Sequence, residues 1–169
     1  IQGLGAFPLD VRRAQIAGLA ADGHKWLTGP EGSGLLFIRK DLLDTIQPTS
    51  LGWMNFRRWM DFSSPDPTWR DDARRYESGT LNTVGIYGLG AALDLLLEIG
   101  VENISERVLD LTDRLRAGLK ERGHEVFGPT DREESSGIVS FVPGTRTAEQ
   151  VVAHLRAERI LVSARSGKV

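Results

Sequence analysis

The chain has 169 residues, 40% hydrophobic and 26% charged, which is the composition of an ordinary globular protein and a length that allows one domain. Its net charge of −2 gives no global pull toward nucleic acid or an anionic membrane, and no apolar run approaches the ~18 residues of a membrane span. With no cysteine there is no disulfide, thiolate metal site or cysteine nucleophile, and the widely spaced His24, His124 and His154 make no metal-ligand cluster.

The chain starts at Ile1 without a methionine and stops at Val169 in mid-pattern, so it reads as a fragment. Residues 1–11 read as a loop, with Asp10 as N-cap of a short helix from Val11 to about Ala17. Residues 19–24 and 35–40 read as strands, and Lys40 to Ile46 as a helical turn or two, ended by Pro48. Residues 47–83 show no clear period. They hold Trp53, Trp59 and Trp69, the pairs Arg57-Arg58 and Arg74-Arg75, Pro65 and Pro67. Aromatics interleaved with arginines suit stacking on nucleic acid, but the charge balance favours a loop that lines a substrate channel or packs on a partner subunit.

Tyr76 to Thr83 reads as a turn ending in an N-cap at Asn82 or Thr83, and its small residues, hydroxyl and free amides suit an anion. An apolar helix follows from Val84 to Ile99, where Gly85, Gly88 and Gly90 permit close packing and Gly100 is the stop. These glycines do not form a dinucleotide fingerprint. Val101 to Arg122 is a long amphipathic helix, terminated by Gly123. Strands are predicted at 124–127, 138–142 and 160–164. A helix to about Glu158, opened by a Thr147–Gln150 capping box, precedes the last of them. That succession suits a small α/β domain packed on helices.

Between the first two strands lies Asp22-Gly23-His24-Lys25-Trp26-Leu27-Thr28-Gly29-Pro30-Glu31-Gly32-Ser33-Gly34. A lysine on a tight turn between buried strands is poorly solvated and rigidly aimed. Desolvation disfavours the ammonium form, which makes the amine a nucleophile able to form a Schiff base. Spacing alone leaves open a snorkelling surface lysine.

The His24-Lys25-x-x-x-Gly29-Pro30-x-Gly32-x-Gly34 pattern resembles the pyridoxal-phosphate (PLP) lysine segment of the class V aminotransferase family. That family includes cysteine desulfurases, selenocysteine lyases and isopenicillin N epimerase-like enzymes. The resemblance covers most of the chain and is strongest at 19–38 and 76–93. It implies an α/β fold of fold-type I, with residues 1–95 as the end of the large PLP-binding domain and 96–169 as most of the small C-terminal domain. It implies that Lys25 carries PLP, that His24 lies beside the phosphate, and that Gln2 sits near the phenolic oxygen. The aspartate that pairs with the pyridine nitrogen would lie two positions before Ile1. Gly79 and Thr80 match the Gly-Thr that donates to the PLP phosphate of the other subunit, so the resemblance implies a homodimer with a shared active site. The arginine that binds the substrate α-carboxylate would fall just past Val169, with Arg165 as a further contributor. One departure is Asp22, where many relatives carry a phosphate-binding serine; a carboxylate there would repel phosphate.

The resemblance implies action at the α-carbon of an amino acid, with no nucleic-acid or membrane partner. Desulfurases of this family carry a mobile-loop cysteine, and this chain runs from Ser163 to Val169 without one. The expectation is therefore an aminotransferase-like or epimerase-like enzyme, with desulfurase or selenocysteine lyase-type β-elimination as the alternative. A non-catalytic fragment or interaction domain is the second alternative. Absence of cysteine favours the cytoplasm.

Overall fold

A computed structural model describes residues 2–64 and 66–169; Ile1 and Pro65 lie outside them. The chain divides into two compact units, Ile1–Val101 and Glu102–Val169.

The first unit is built on an antiparallel pair, β1 (Gly18–Asp22) and β2 (Gly34–Ile38), in register from Gly18 opposite Ile38 to Asp22 opposite Gly34. Both strands stop short of the predicted ends: β1 because Gly23 and His24 already belong to the turn, and β2 because Lys40 already opens a 3-10 turn. The predicted helix from Val11 is a single turn. Asp10 does cap it, accepting from the Arg12 and Arg13 amides at 2.8 and 3.1 Å. Those amides hold its carboxyl below the usual range. Gln15 then takes a left-handed backbone (φ +51°), and β1 begins three residues later. The arginines in between are exposed, so no apolar face exists to extend the turn.

Lys40–Leu42, Trp53–Asn55 and Ala73–Tyr76 are short 3-10 turns. Helix α1 spans Thr83–Ile99. Asn82 is its N-cap, accepting from the Gly85 amide at 3.0 Å, and Gly100 (φ +86°) closes it. Leu89 and Leu96 are buried, whereas Val84, Tyr87 and Leu97 on the same helix are largely exposed. With Ala6, Ala21, Leu27 and Leu43 the two leucines make the apolar core of this unit.

The amphipathic helix α2 (Val101–Glu121) leads the second unit and ends at Gly123 (φ +77°). Arg132 from the following loop grips Asp110 and Asp113 on it. Two short strands, β3 (Val126–Phe127) and β4 (Ser140–Phe141), pair antiparallel, and Val169 exchanges both backbone hydrogen bonds with Phe141. Helix α3 (Ala148–Ala157) opens on the predicted capping box, Gln150 amide to Thr147 Oγ1 and Thr147 amide to Gln150 Oε1.

Residues 160–164 do not form the predicted strand. They find no strand partner among the described residues, and Ile160, Leu161 and Val162 are left exposed. Apolar β-formers alone do not make a strand without a partner to pair with.

Candidate active site

The Lys25 turn is fixed by its own backbone. The Gly23 amide donates to Ser33 O at 2.8 Å, the Gly29 amide to Gly23 O at 2.8 Å, and the Thr28 amide to Lys25 O at 2.9 Å. Thr28 is left-handed (φ +55°), which costs a β-branched residue about 1–3 kcal/mol and persists only where the surroundings enforce it. Lys25 is half-buried between exposed His24 and Trp26, with Leu27 buried beneath. It is thus aimed rigidly but is less withdrawn from water than the apolar flanks imply.

The glycines of the motif are filled by the chain itself. A Cβ at Gly34 would lie 2.5 Å from Ala21 O, and one at Gly29 would lie 2.7 Å from Leu89 Cδ1. From the helix side, a Cβ at Gly88 would meet Pro30 Cγ at 2.6 Å and one at Gly85 would meet Ser33 Cβ at 3.0 Å. Gly90, by contrast, faces open space. Two of the three helix glycines therefore seat α1 on the lysine turn, and Asn82 Nδ2 donates to Gly32 O at 3.0 Å to complete the junction. The loop bearing Gln2 reaches the same turn. Gly5 (φ +92°) lies so close that a Cβ would stand 2.7 Å from Trp26 O, and Ala6 is fully buried. Gln2 itself is exposed.

Gly79 and Thr80 follow a segment in which sequence periodicity shows nothing, and which is held by its own buried polar side chains. Asn55 is fully buried; it accepts from the Gly52 amide and donates to Arg75 O at 2.6 Å. Arg75, 5% exposed, donates to Leu43 O at 2.6 Å and Arg70 O at 2.7 Å. Tyr76 Oη adds a bond to Ile46 O at 2.8 Å. Gly52 sits on Ser78 so tightly that any Cβ would overlap its carbonyl oxygen. The other arginines are engaged too: Arg57 with Asp71, Arg58 with Asp61, Arg74 with Asp72. Arg70 stacks over Trp59, while Trp69 stacks on Phe56.

No hydrogen bond among the described residues joins Gln2, His24, Lys25, Gly79 and Thr80 to one another. What they share is the first unit, with three loops anchored to one helix junction. Arg165 belongs to the second unit, exposed in a tight turn closed by mutual bonds with Lys168 at 2.9 and 3.0 Å. Asn55 and Arg75 are the residues that sequence reading misses. The available signal was a lone polar residue amid aromatics, and an arginine directly before Tyr-Glu-x-Gly-Thr.

An aldehyde bearing a phosphate needs an accessible amine and an open set of donors. Lys25 is such an amine, and Gly79, unlike the motif glycines, is open: a Cβ there would meet nothing nearer than Trp53 Nε1, at 3.8 Å. The residues present fit PLP.

The family model for aminotransferase class-V matches residues 1–169. The chain belongs to this family. A probable cysteine desulfurase of Pyrococcus abyssi is 30% identical over 166 residues, 98% of this chain and 40% of that protein. The chain thus spans about 40% of the length of that curated relative. Among solved structures, an apo cysteine desulfurase from Thermococcus onnurineus NA1 superposes with a TM-score of 0.87 at 30% identity, covering 96% of this chain and 40% of the other. Two structures of C-DES superpose at 0.85 with 27% and 28% identity, covering 98% of this chain and 43% of each. One carries glycine covalently linked to its PLP cofactor, and the other is a cystine C–S lyase complex with its product, cysteine persulfide. The α/β fold is therefore part of the fold-type I architecture of PLP-dependent class V enzymes.

Proposed function

We propose that this chain works in a PLP-dependent enzyme acting at the α-carbon of an amino acid, and that the reaction cleaves a C–S bond at the β-carbon. The observation that carries the reading is the Lys25 turn: a half-buried amine on a backbone that three internal hydrogen bonds and α1 hold in place. When bound, PLP supplies an electron sink for charge developing at the α-carbon. Lys25 Nζ would hold the cofactor at its aldehyde carbon, and the same nitrogen would take the α-proton. His24 would hold the phosphate side of the cofactor and Gln2 its phenolic side. Gly79 and Thr80 would hold the phosphate of the partner protomer in a homodimer.

The preference for C–S cleavage over transamination or epimerisation is supported by the desulfurases among the relatives and by C-DES. Lack of cysteine argues against a sulfur carried on this chain. It does not argue against a persulfide that leaves as free product, as in C-DES.

Borohydride reduction with PLP followed by peptide mapping tests the lysine. A pyridoxyl group on Lys25, lost in Lys25→Ala together with essentially all turnover, is the expected result. A label elsewhere in folded protein overturns the reading. Product analysis with L-cysteine and L-cystine tests the reaction. Alanine with persulfide, or pyruvate with ammonia and cysteine persulfide, supports C–S cleavage. An oxo acid formed by amino transfer, or a racemised amino acid, returns the enzyme to the aminotransferase- or epimerase-like class.

A further inference from the structure

Trp53 stands next to the phosphate loop with its polar end unused. Its Nε1 lies 3.8 Å from the position a Cβ would take on Gly79. Its ring is packed by Trp59 at 5.2 Å and Phe62 at 6.2 Å between centroids. Its indole N–H has no hydrogen-bond partner among the described residues, and Trp53 is 43% exposed. The position is enforced. Trp53 opens the 3-10 turn that Gly52 seats on Ser78, the Met54 amide donates to Ser78 O at 3.4 Å, and Asn55 ties both Gly52 and Arg75. Trp53 and Gly79 cannot move independently.

An indole N–H is a donor only, so the ligand it suits is rich in acceptors. Tryptophan also brings an apolar body with a single polar tip, which fits a residue stacked on one side and facing an anion on the other. Gly79, by lacking a side chain, leaves the approach to that N–H clear.

We propose that Trp53 is a further phosphate ligand, donating its indole N–H to the same cofactor phosphate that Gly79 and Thr80 receive. The inference rests on the PLP reading above. An anion of the same chemistry at that N–H could be the phosphate or a substrate carboxylate, and the test separates them.

In PLP-reconstituted enzyme, Trp53→Phe keeps the ring stack and removes only the N–H. Kd for PLP should rise about tenfold, the scale of one lost hydrogen bond to a charged group. Kd for pyridoxal, which lacks the phosphate, should stay within about twofold, and the phosphorus resonance of bound cofactor should shift. Trp59→Phe should change neither constant. Equal weakening of PLP and pyridoxal would mean a packing role and overturn the proposal. So would unchanged PLP affinity, including the case where only substrate KM rises and the carboxylate is the partner. Should Trp53→Phe not fold, wild-type enzyme with 15N-labelled indoles answers the same question. The Trp53 indole proton must move on loading with PLP and not with pyridoxal, and a resonance indifferent to both overturns the assignment. Failure of Lys25 to take a borohydride label sinks the PLP reading and this inference with it. A labelled Lys25 with an inert Trp53 sinks this inference alone.

Discussion

Around Lys25 the chain is held by side chains it lacks. Gly23, Gly29, Gly34, Gly85 and Gly88 let backbone, helix and turn approach to distances that a methyl group would forbid. Between residues 43 and 80 the chain is held by side chains it has: Asn55 and Arg75, buried and bonded to four backbone groups, two of them, Arg75 O and Leu43 O, far along the chain. The first arrangement tolerates no addition and the second no removal. Both position a short loop, Lys25 in the first case and Gly79-Thr80 in the second, without any long regular element. Close packing through glycine gives a rigid turn with few atoms near the amine. Polar anchoring suits a segment with too little apolar periodicity to form a core of its own.

The largest effect expected from breaking this contrast is at Arg75. Arg75→Ala leaves the Leu43 and Arg70 carbonyls without their donors and should cost about 3 kcal/mol, read as a lowered midpoint in urea. Arg75→Lys should recover little, since one ammonium cannot reproduce the guanidinium fork. A loss below about 1 kcal/mol would show that the segment is held elsewhere. Gly34→Ala ranks next. Its Cβ meets a backbone oxygen of a paired strand, not the end of a flexible side chain, and overpacking of that kind costs about 1–3 kcal/mol. A melting temperature unchanged from wild type would contradict the packing account.

The smallest effect is electrostatic and sharpens the comparison at the tip of the 56–69 excursion. The Ser63 hydroxyl first, and the Arg58 guanidinium second, hold the Asp61 carboxyl down to about 2. A depressed carboxylate stabilises above its ordinary value of 3.8, and the contribution is lost as pH falls through about 2. Tryptophan emission from Trp59 should therefore report local loosening in that window, and Asp61→Asn should flatten the response. A wild-type signal that is flat from about pH 4 to about pH 2 would refute it.

The lysine motif, α1, α2 and the caps at Asn82 and Thr147 were legible because each is encoded locally, by spacing, period or a capping side chain. The glycine junction was half legible: the close packing was readable, but which of Gly85, Gly88 and Gly90 make it depends on Pro30 and Ser33 across the unit. Asn55 and Arg75 were illegible, since their partners are backbone carbonyls and amides that leave no mark on composition. The helix predicted after Asp10 and the strand at 160–164 failed for a common reason. Local preference was present, but there was no face to bury in the first case and no strand partner among the described residues in the second. The reaction type turned on one residue. Absence of cysteine tilted the expectation toward an aminotransferase- or epimerase-like enzyme, with β-elimination as the alternative, and the desulfurases among the relatives fit that alternative better.

The exposed side of α1 bears on how the chain behaves in a tube. Val84 and Tyr87 are each 82% exposed, Leu97 is 71% exposed, and Leu161 in the unpaired 160–164 segment is 81% exposed. With a net charge of only −2, little repulsion keeps copies of these 169 residues apart in solution. An uncovered apolar helix face and an unpaired extended segment are both sticky. Salting-out ions and warming would strengthen that attraction, so low-salt, cold and dilute handling is the regime in which the chain stays dispersed.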